Sequence, residues 1–122
     1  MKKQKFVIEG RLAGINELMS GHWRKRYRVK CEGKDLVIVY ARAARIRPVK
    51  KYPCEIHIQC FEPNMKRDDG NVKGGASKII LDALQDIEII KNDGRSCVES
   101  FDLPVQTDRE NPRIEVKIIE KD

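Results

Sequence analysis

Ser77-Lys78-Ile79-Ile80-Leu81-Asp82-Ala83-Leu84-Gln85-Asp86-Ile87 is the stretch on which the reading of the fold turns. Ile80, Ala83, Leu84 and Ile87 recur at the i, i+3, i+4, i+7 spacing of one helical stripe. Lys78, Asp82 and Asp86 occupy an i, i+4 row, where charged side chains become neighbours on a helix surface. The stretch is predicted to be an amphipathic helix. Upstream, Glu55-Ile56-His57-Ile58-Gln59-Cys60 alternates polar with apolar, the period of a strand with one buried face. Downstream, Ser96 to Phe101, between Gly94 and Pro104, is a weaker strand candidate.

Further out, Phe6-Val7-Ile8 is a short apolar run ended by Gly10, and Arg113-Ile114-Glu115-Val116-Lys117-Ile118 alternates cleanly. Lys34 to Arg47 is ambiguous. Leu36-Val37-Ile38-Val39-Tyr40 is β-branched enough for a strand, whereas Tyr40, Ala43, Ala44 and Arg47 continue at helical spacing until Pro48. It is predicted as a helix. The order is then strand, long loop, helix, strand, helix, strand, strand. That pattern implies an α+β fold, a small mixed β-sheet of about four strands covered by two helices, in a single domain spanning residues 1–122. The tracts 10–33 and 66–75 are expected to be long charged loops, which in a small domain usually carry function.

With 40% hydrophobic and 36% charged residues, the chain can bury one core beneath a highly charged surface. No apolar run approaches the roughly 20 residues of a membrane helix, and the lysine-rich N-terminus lacks a signal sequence, so a cytoplasmic protein with no membrane partner is expected. Cys31, Cys54, Cys60 and Cys97 lack paired zinc-site spacing and are expected to be reduced thiols. No small-molecule organic cofactor is expected. The excess of 25 Lys+Arg over 19 Asp+Glu, net +6, favours an anionic partner such as nucleic acid.

Pro63-Asn64-Met65-Lys66-Arg67-Asp68-Asp69-Gly70-Asn71 follows the 55–60 strand and places two carboxylates beside two cations. Clustered carboxylates suit a hard cation such as Mg²⁺, although Asp, Gly and Asn are also the residues that turns prefer. Asp93, in Lys91-Asn92-Asp93-Gly94, is a third carboxylate that could swing back to the first tract, and Asp-Gly is again a turn dipeptide. Lys78 falls near the start of the predicted helix, where a cation opposes the helix dipole and so points to another role. His22-Trp23-Arg24-Lys25-Arg26-Tyr27-Arg28 interleaves aromatics with cations, as in a loop that grips phosphates and stacks on unpaired bases. Arg42, Arg45, Arg47, Lys50 and Lys51 form a second basic run, either an extension of that surface or a solvated helix end. His22 and His57 are assigned no catalytic role.

Taken in order, three blocks resemble the RusA family of Holliday-junction resolvases. Lys66-Arg67-Asp68-Asp69-Gly70-Asn71 is similar to its R-D-x-D-N block, Lys78-Ile79-Ile80-Leu81-Asp82-Ala83-Leu84 to K-x-x-x-D-A-L, and Asn92-Asp93-Gly94 to N-D-G. Gly10-Arg11-Leu12-Ala13-Gly14-Ile15-Asn16-Glu17 resembles the G-R-L-P-G-x-N-E opening of the family's phage and Firmicute branch. Asn111-Pro112-Arg113-Ile114-Glu115-Val116 is similar to the family's last strand.

The resemblance implies an endodeoxyribonuclease that resolves four-way DNA junctions in recombination and repair, hydrolysing a phosphodiester with Mg²⁺, or Mn²⁺ in its place. Two symmetric nicks imply a homodimer. By the same resemblance Asp68, Asp93 and Lys78 are catalytic and Asp68 and Asp93 bind the metal, with Asp69 a candidate third ligand; the basic composition adds Trp23, Arg24, Lys25, Arg26, Tyr27 and Arg28 as DNA contacts, together with Lys66, Arg67, Asn71 and Lys73. Gly70 is a departure, because the family has its second aspartate there, and the alternative expectation is therefore a catalytically weakened or inactive branched-DNA-binding protein of the same fold. Asp69 replaces that ligand only if the tract turns; on an extended backbone it faces away from Asp68.

Overall fold

The alternation at residues 55–60 becomes the inner strand around which the sheet assembles, in a computed structural model that describes residues 1–121. The elements run β1 (Lys2–Glu9), α1 (Ile15–Leu18), α2 (Trp23–Ala43), β2 (Cys54–Glu62), α3 (Asp69–Asp86), β3 (Val98–Asp102), β4 (Gln106–Thr107) and β5 (Arg113–Glu120). The sheet order is β1-β5-β2-β3, with β4 also on β2. β5 runs antiparallel to both β1 and β2, whereas β3 and β4 run parallel to β2. Pro104, which has no N–H to give, falls between β3 and β4, so the edge beside β2 comes in two short pieces.

The fold is therefore α+β with a mixed sheet, as expected, but of five strands and three helices instead of about four and two. The additions are β4, of two residues, and α1, of four, both too short to leave a periodicity in the sequence.

One face of the sheet carries the core. Phe6 and Ile58 both register with Val116, Ile56 registers with Ile118, and all five are buried. Val37 and Ala41 from α2, and Ile79, Ile80, Ala83 and Leu84 from α3, close over them. The alternate residues of β2, Glu55, His57 and Gln59, are half-buried on the opposite face. There the His57 ring stacks on Phe101 at 4.6 Å and its Nε2 lies 2.8 Å from Glu55 Oε1, a local contact on the sheet's outer face.

Both long helices begin earlier than their periodicity suggests. α2 starts at Trp23 instead of Lys34, so residues 22–28 are not a loop: His22 caps the helix, its Nδ1 accepting the Arg24 N–H at 3.2 Å. It ends at Ala43, short of the predicted Arg47. Arg45 takes a left-handed φ of 56°, and the Ile46 N–H reaches back to the Ala41 carbonyl at 3.0 Å, a wrap that closes the last turn.

α3 starts at Asp69 instead of Ser77, and at Gly75 it presses on the 10–14 segment. A Cβ on Gly75 would stand 2.0 Å from the Ala13 carbonyl oxygen, so only glycine permits the approach. Two ion pairs, Lys30–Asp82 at 2.8 Å and Lys34–Asp86 at 2.6 Å, advance four residues on both helices, so α2 and α3 run in the same direction. Their N-termini therefore share one end of the molecule. Among the described residues no helix is long and apolar enough to cross a membrane.

Candidate nucleic-acid interface

The first six residues of α2 are all solvent-exposed, which is unusual for a helix that packs on a sheet further along. They comprise Trp23, Arg24, Lys25, Arg26, Tyr27 and Arg28. Trp23 is 59% exposed and Tyr27 67% exposed, and Arg24 lies against the indole at 5.4 Å. Of the four cations only Arg28 nears a carboxylate, Glu32, at 4.0 Å with both side chains mostly in water, a contact worth little. Among the described residues Arg24, Lys25 and Arg26 hold no ion pair, and the two aromatic side chains stand largely in solvent.

Trp23, Tyr27 and Lys30 lie at i, i+4, i+7 on one stripe of α2, and Tyr27 and Lys30 border α1. Between the helices runs a hollow of about 390 Å³ whose apolar wall is Ile15, Leu18, Met19 and Tyr27 and whose cations are Arg26, Lys30 and Lys78. Met19 is itself 71% exposed. Lys78 sits in the middle of α3, so the dipole argument for its role fails. It reaches Asp82 at 3.6 Å, and Lys30 holds the same carboxylate at 2.8 Å. One carboxylate faces three cations, leaving the groove net positive with an apolar floor. That chemistry suits an anionic polymer with stacking faces. Lys30 and Met19 escaped sequence reasoning, although the i+4 spacing of Lys30 from Arg26 would have signalled it once the helix was known to begin at Trp23.

The other predicted site residues gather at the C-terminal end of β2, and most are already engaged. Arg67 grips buried Glu62 with two hydrogen bonds of 2.9 Å and donates a third to the Leu12 carbonyl at 3.0 Å. Arg11 holds the same carboxylate at 2.7 and 3.2 Å. Burial pushes the Glu62 carboxyl up, but the two guanidinium groups outweigh this and hold it below the ordinary glutamate value. Arg67 thus clamps the strand end to the 11–12 segment instead of facing solvent. The Asn71 amide oxygen accepts the Asn16 N–H at 2.8 Å, fixing α1. Lys66 is exposed and free of ion pairs among the described residues.

Asp68 is the N-terminal flanking residue of α3, and its carboxylate has no hydrogen-bond or ion-pair partner among the described residues. Asp69, one residue into the helix, is fully occupied: Oδ2 pairs with Lys73 at 2.9 Å and Oδ1 accepts the Val105 N–H at 2.8 Å. Those two partners hold its carboxyl below the ordinary aspartate value. Lys73, expected on DNA, is tied down by Asp69 and also acts on Asp102 at the end of β3. Asp102 keeps solvent exposure, yet the protein crowding its carboxyl raises its pKa, against the pull of Lys73 and a hydrogen bond donated by Ser77. Asp102 left no motif in the sequence.

Asp93 does not join this group. The Cys97 N–H bonds the Gly94 carbonyl at 2.9 Å, and the Cys97 carbonyl accepts from Cys54, the first residue of β2. Asp68 and Asp69 lie past the last residue of β2, beside Val105. The eight steps between the first and last of the nine strand residues, at about 3.3 Å each, separate the two ends by about 26 Å. Among the described residues no three His, Cys, Asp or Glu side chains converge on a common point. With Asp69 committed to Lys73, Gly70 lacking a carboxylate and Asp93 at the far end, the predicted Asp68, Asp69 and Asp93 set does not fit one Mg²⁺ ion within a single chain.

Cys54 and Cys60 are buried, and desolvation pushes their thiols up to about 11 and about 12, so both are inert packing residues. No protein-family model matches the chain, and no curated protein matches it either.

Proposed function

We propose that this chain binds branched DNA, seating a backbone strand in the groove between α1 and α2 and stacking bases on Trp23 and Tyr27. The carrying observation is that groove, where Arg26, Lys30 and Lys78 meet exposed aromatic and apolar faces. Arg26 holds no ion pair among the described residues, and Lys30 and Lys78 share one carboxylate, Asp82; such cations displace the counterions condensed on DNA phosphates, a large source of affinity for a polyanion. Base pairs unstacked at the crossover of an open junction offer π-faces that a continuous duplex withholds, so the aromatics give a preference for the four-way junction over linear DNA. The ordered blocks similar to RusA resolvases support the junction as the substrate.

Trp23, the chain's one tryptophan, reports on this directly. Its fluorescence is expected to be quenched on titration with a synthetic four-way junction, at lower concentrations than with a linear duplex of the same sequence. Emission unchanged at saturating junction, with binding confirmed by anisotropy, would refute stacking on Trp23.

A second reading, Mg²⁺-dependent cutting of the junction by a homodimer, is favoured by the same ordered blocks and by the unpartnered Asp68 carboxylate. It predicts symmetric nicks on a junction incubated with Mg²⁺ and their loss in Asp68→Asn. Intact junction at saturating protein and Mg²⁺ would leave binding without hydrolysis.

A further inference from the structure

The second basic run is absorbed by neither reading, and the fold gives it a defined place. Beyond the C-terminus of α2 the chain passes beside the start of β1 and the end of β5. There Lys2, Lys3, Arg47 and Lys50 line a hollow of about 430 Å³, closed by Gln4, Pro48 and Glu120. Lys51 opens on a smaller neighbouring hollow that shares Lys2, Lys50 and Glu120. None of these cations holds an ion pair among the described residues.

The backbone beneath them is fixed. Gln4 and Arg47 exchange hydrogen bonds, Gln4 Nε2 to the Arg47 carbonyl at 2.9 Å and the Arg47 N–H to Gln4 Oε1 at 2.8 Å. Buried Glu120 spends one carboxylate oxygen on the Lys50 and Lys51 N–H groups, at 2.8 and 3.0 Å. Among the described residues four cations therefore surround one carboxylate that is already committed to the main chain.

We propose that this hollow is a second phosphate-binding site, which takes the backbone of a DNA arm while the α1–α2 groove holds the branch. The inference rests on the DNA-binding reading above. The groove-lining Arg26 and Lys30 stand 17 and 13 residues before the end of α2 at Ala43, about 20–26 Å at about 1.5 Å per residue, and the hollow lies beyond that end. One turn of B-DNA is about 34 Å, so a duplex arm that runs along α2 from the groove reaches the hollow within about a turn.

The test compares junction affinity across a salt series for three proteins: the native chain, a Lys3→Gln/Lys50→Gln variant and a Trp23→Ala/Arg24→Ala variant, all confirmed as folded by thermal unfolding. For the lysine pair, affinity is expected to fall tenfold or more, and the log–log salt slope to lessen by about 1.8, two phosphates at about 0.9 each. If the lysine pair leaves the slope unchanged while Trp23→Ala/Arg24→Ala weakens binding, the second site is refuted and the groove stands. If Trp23→Ala/Arg24→Ala has no effect while the lysine pair weakens binding, the hollow binds DNA and the groove reading fails. If neither matters, both fail.

Discussion

Replacing Arg67 separates a structural clamp from a DNA contact, because the two roles move different observables. In Arg67→Met two charge-assisted bonds to Glu62 and one to the Leu12 carbonyl are lost. Bonds to charged groups contribute about 1.5–3 kcal/mol each, but Arg11 stays on the Glu62 carboxylate and keeps it from becoming an unpaired buried charge. The net loss is about 2–3 kcal/mol. For 122 residues the unfolding entropy is about 0.26 kcal/mol per kelvin, so Tm falls by about 8–12 °C. Thermal unfolding followed by circular dichroism measures this, with a salt-dependent junction titration in parallel. A Tm unchanged within 2–3 °C, about the sensitivity to 0.5 kcal/mol, combined with a salt slope lessened by about one phosphate, would refute the clamp and return Arg67 to the DNA surface.

Three further outcomes follow from the packing and the titrating groups. Glu62 binds its proton more weakly folded than unfolded, so the stability it contributes is complete above its unfolded value of 4.5 and is lost as the pH falls through the lower folded value. Asp102 carries the opposite sign, its contribution fading as pH rises through a raised value. Acid titration of Glu62→Gln should therefore show a shallower loss of stability below about pH 4.5 than the native chain, and an equally steep loss would contradict this assignment. Gly75→Ala drives a Cβ into the Ala13 carbonyl and should cost about 3 kcal/mol or more, whereas Gly70→Ala, with nothing within 4 Å, should stabilise α3 by about 0.5–1 kcal/mol in chemical denaturation. Of the free thiols, half-buried Cys31 should react with a thiol reagent in the native state while Cys54 and Cys60 stay silent; rapid modification of Cys60 would mean the sheet opens.

Strands were legible because a single buried face writes a period of two into the chain, and β1, β2 and β5 follow it residue by residue. The helix starts were not, for two separate reasons. At the head of α3 the residues Asp69, Gly70, Asn71, Gly74 and Gly75 have turn chemistry, and the close approach of the 10–14 segment that demands Gly75 is visible only in three dimensions. At the head of α2 no residue is buried, so there is no apolar stripe to detect, and its cations and aromatics read as loop composition. The site divided along the same line. Trp23 to Arg28 were found by composition, and the structure leaves all six exposed at one helix end. The carboxylates were grouped by their order in the chain, and the parallel path from β2 through α3 to β3 carries Asp93 to the opposite end of the sheet.

The central claim, that the start of α2 grips DNA, is tested most directly by the salt dependence of junction binding in the triple variant Arg24→Ala/Lys25→Ala/Arg26→Ala. The log–log slope should lessen by about 2–3 relative to the native chain, three phosphates at about 0.9 each, with affinity reduced at every salt concentration. A slope and affinity equal to those of the native chain, in a variant of unchanged Tm, would contradict the claim.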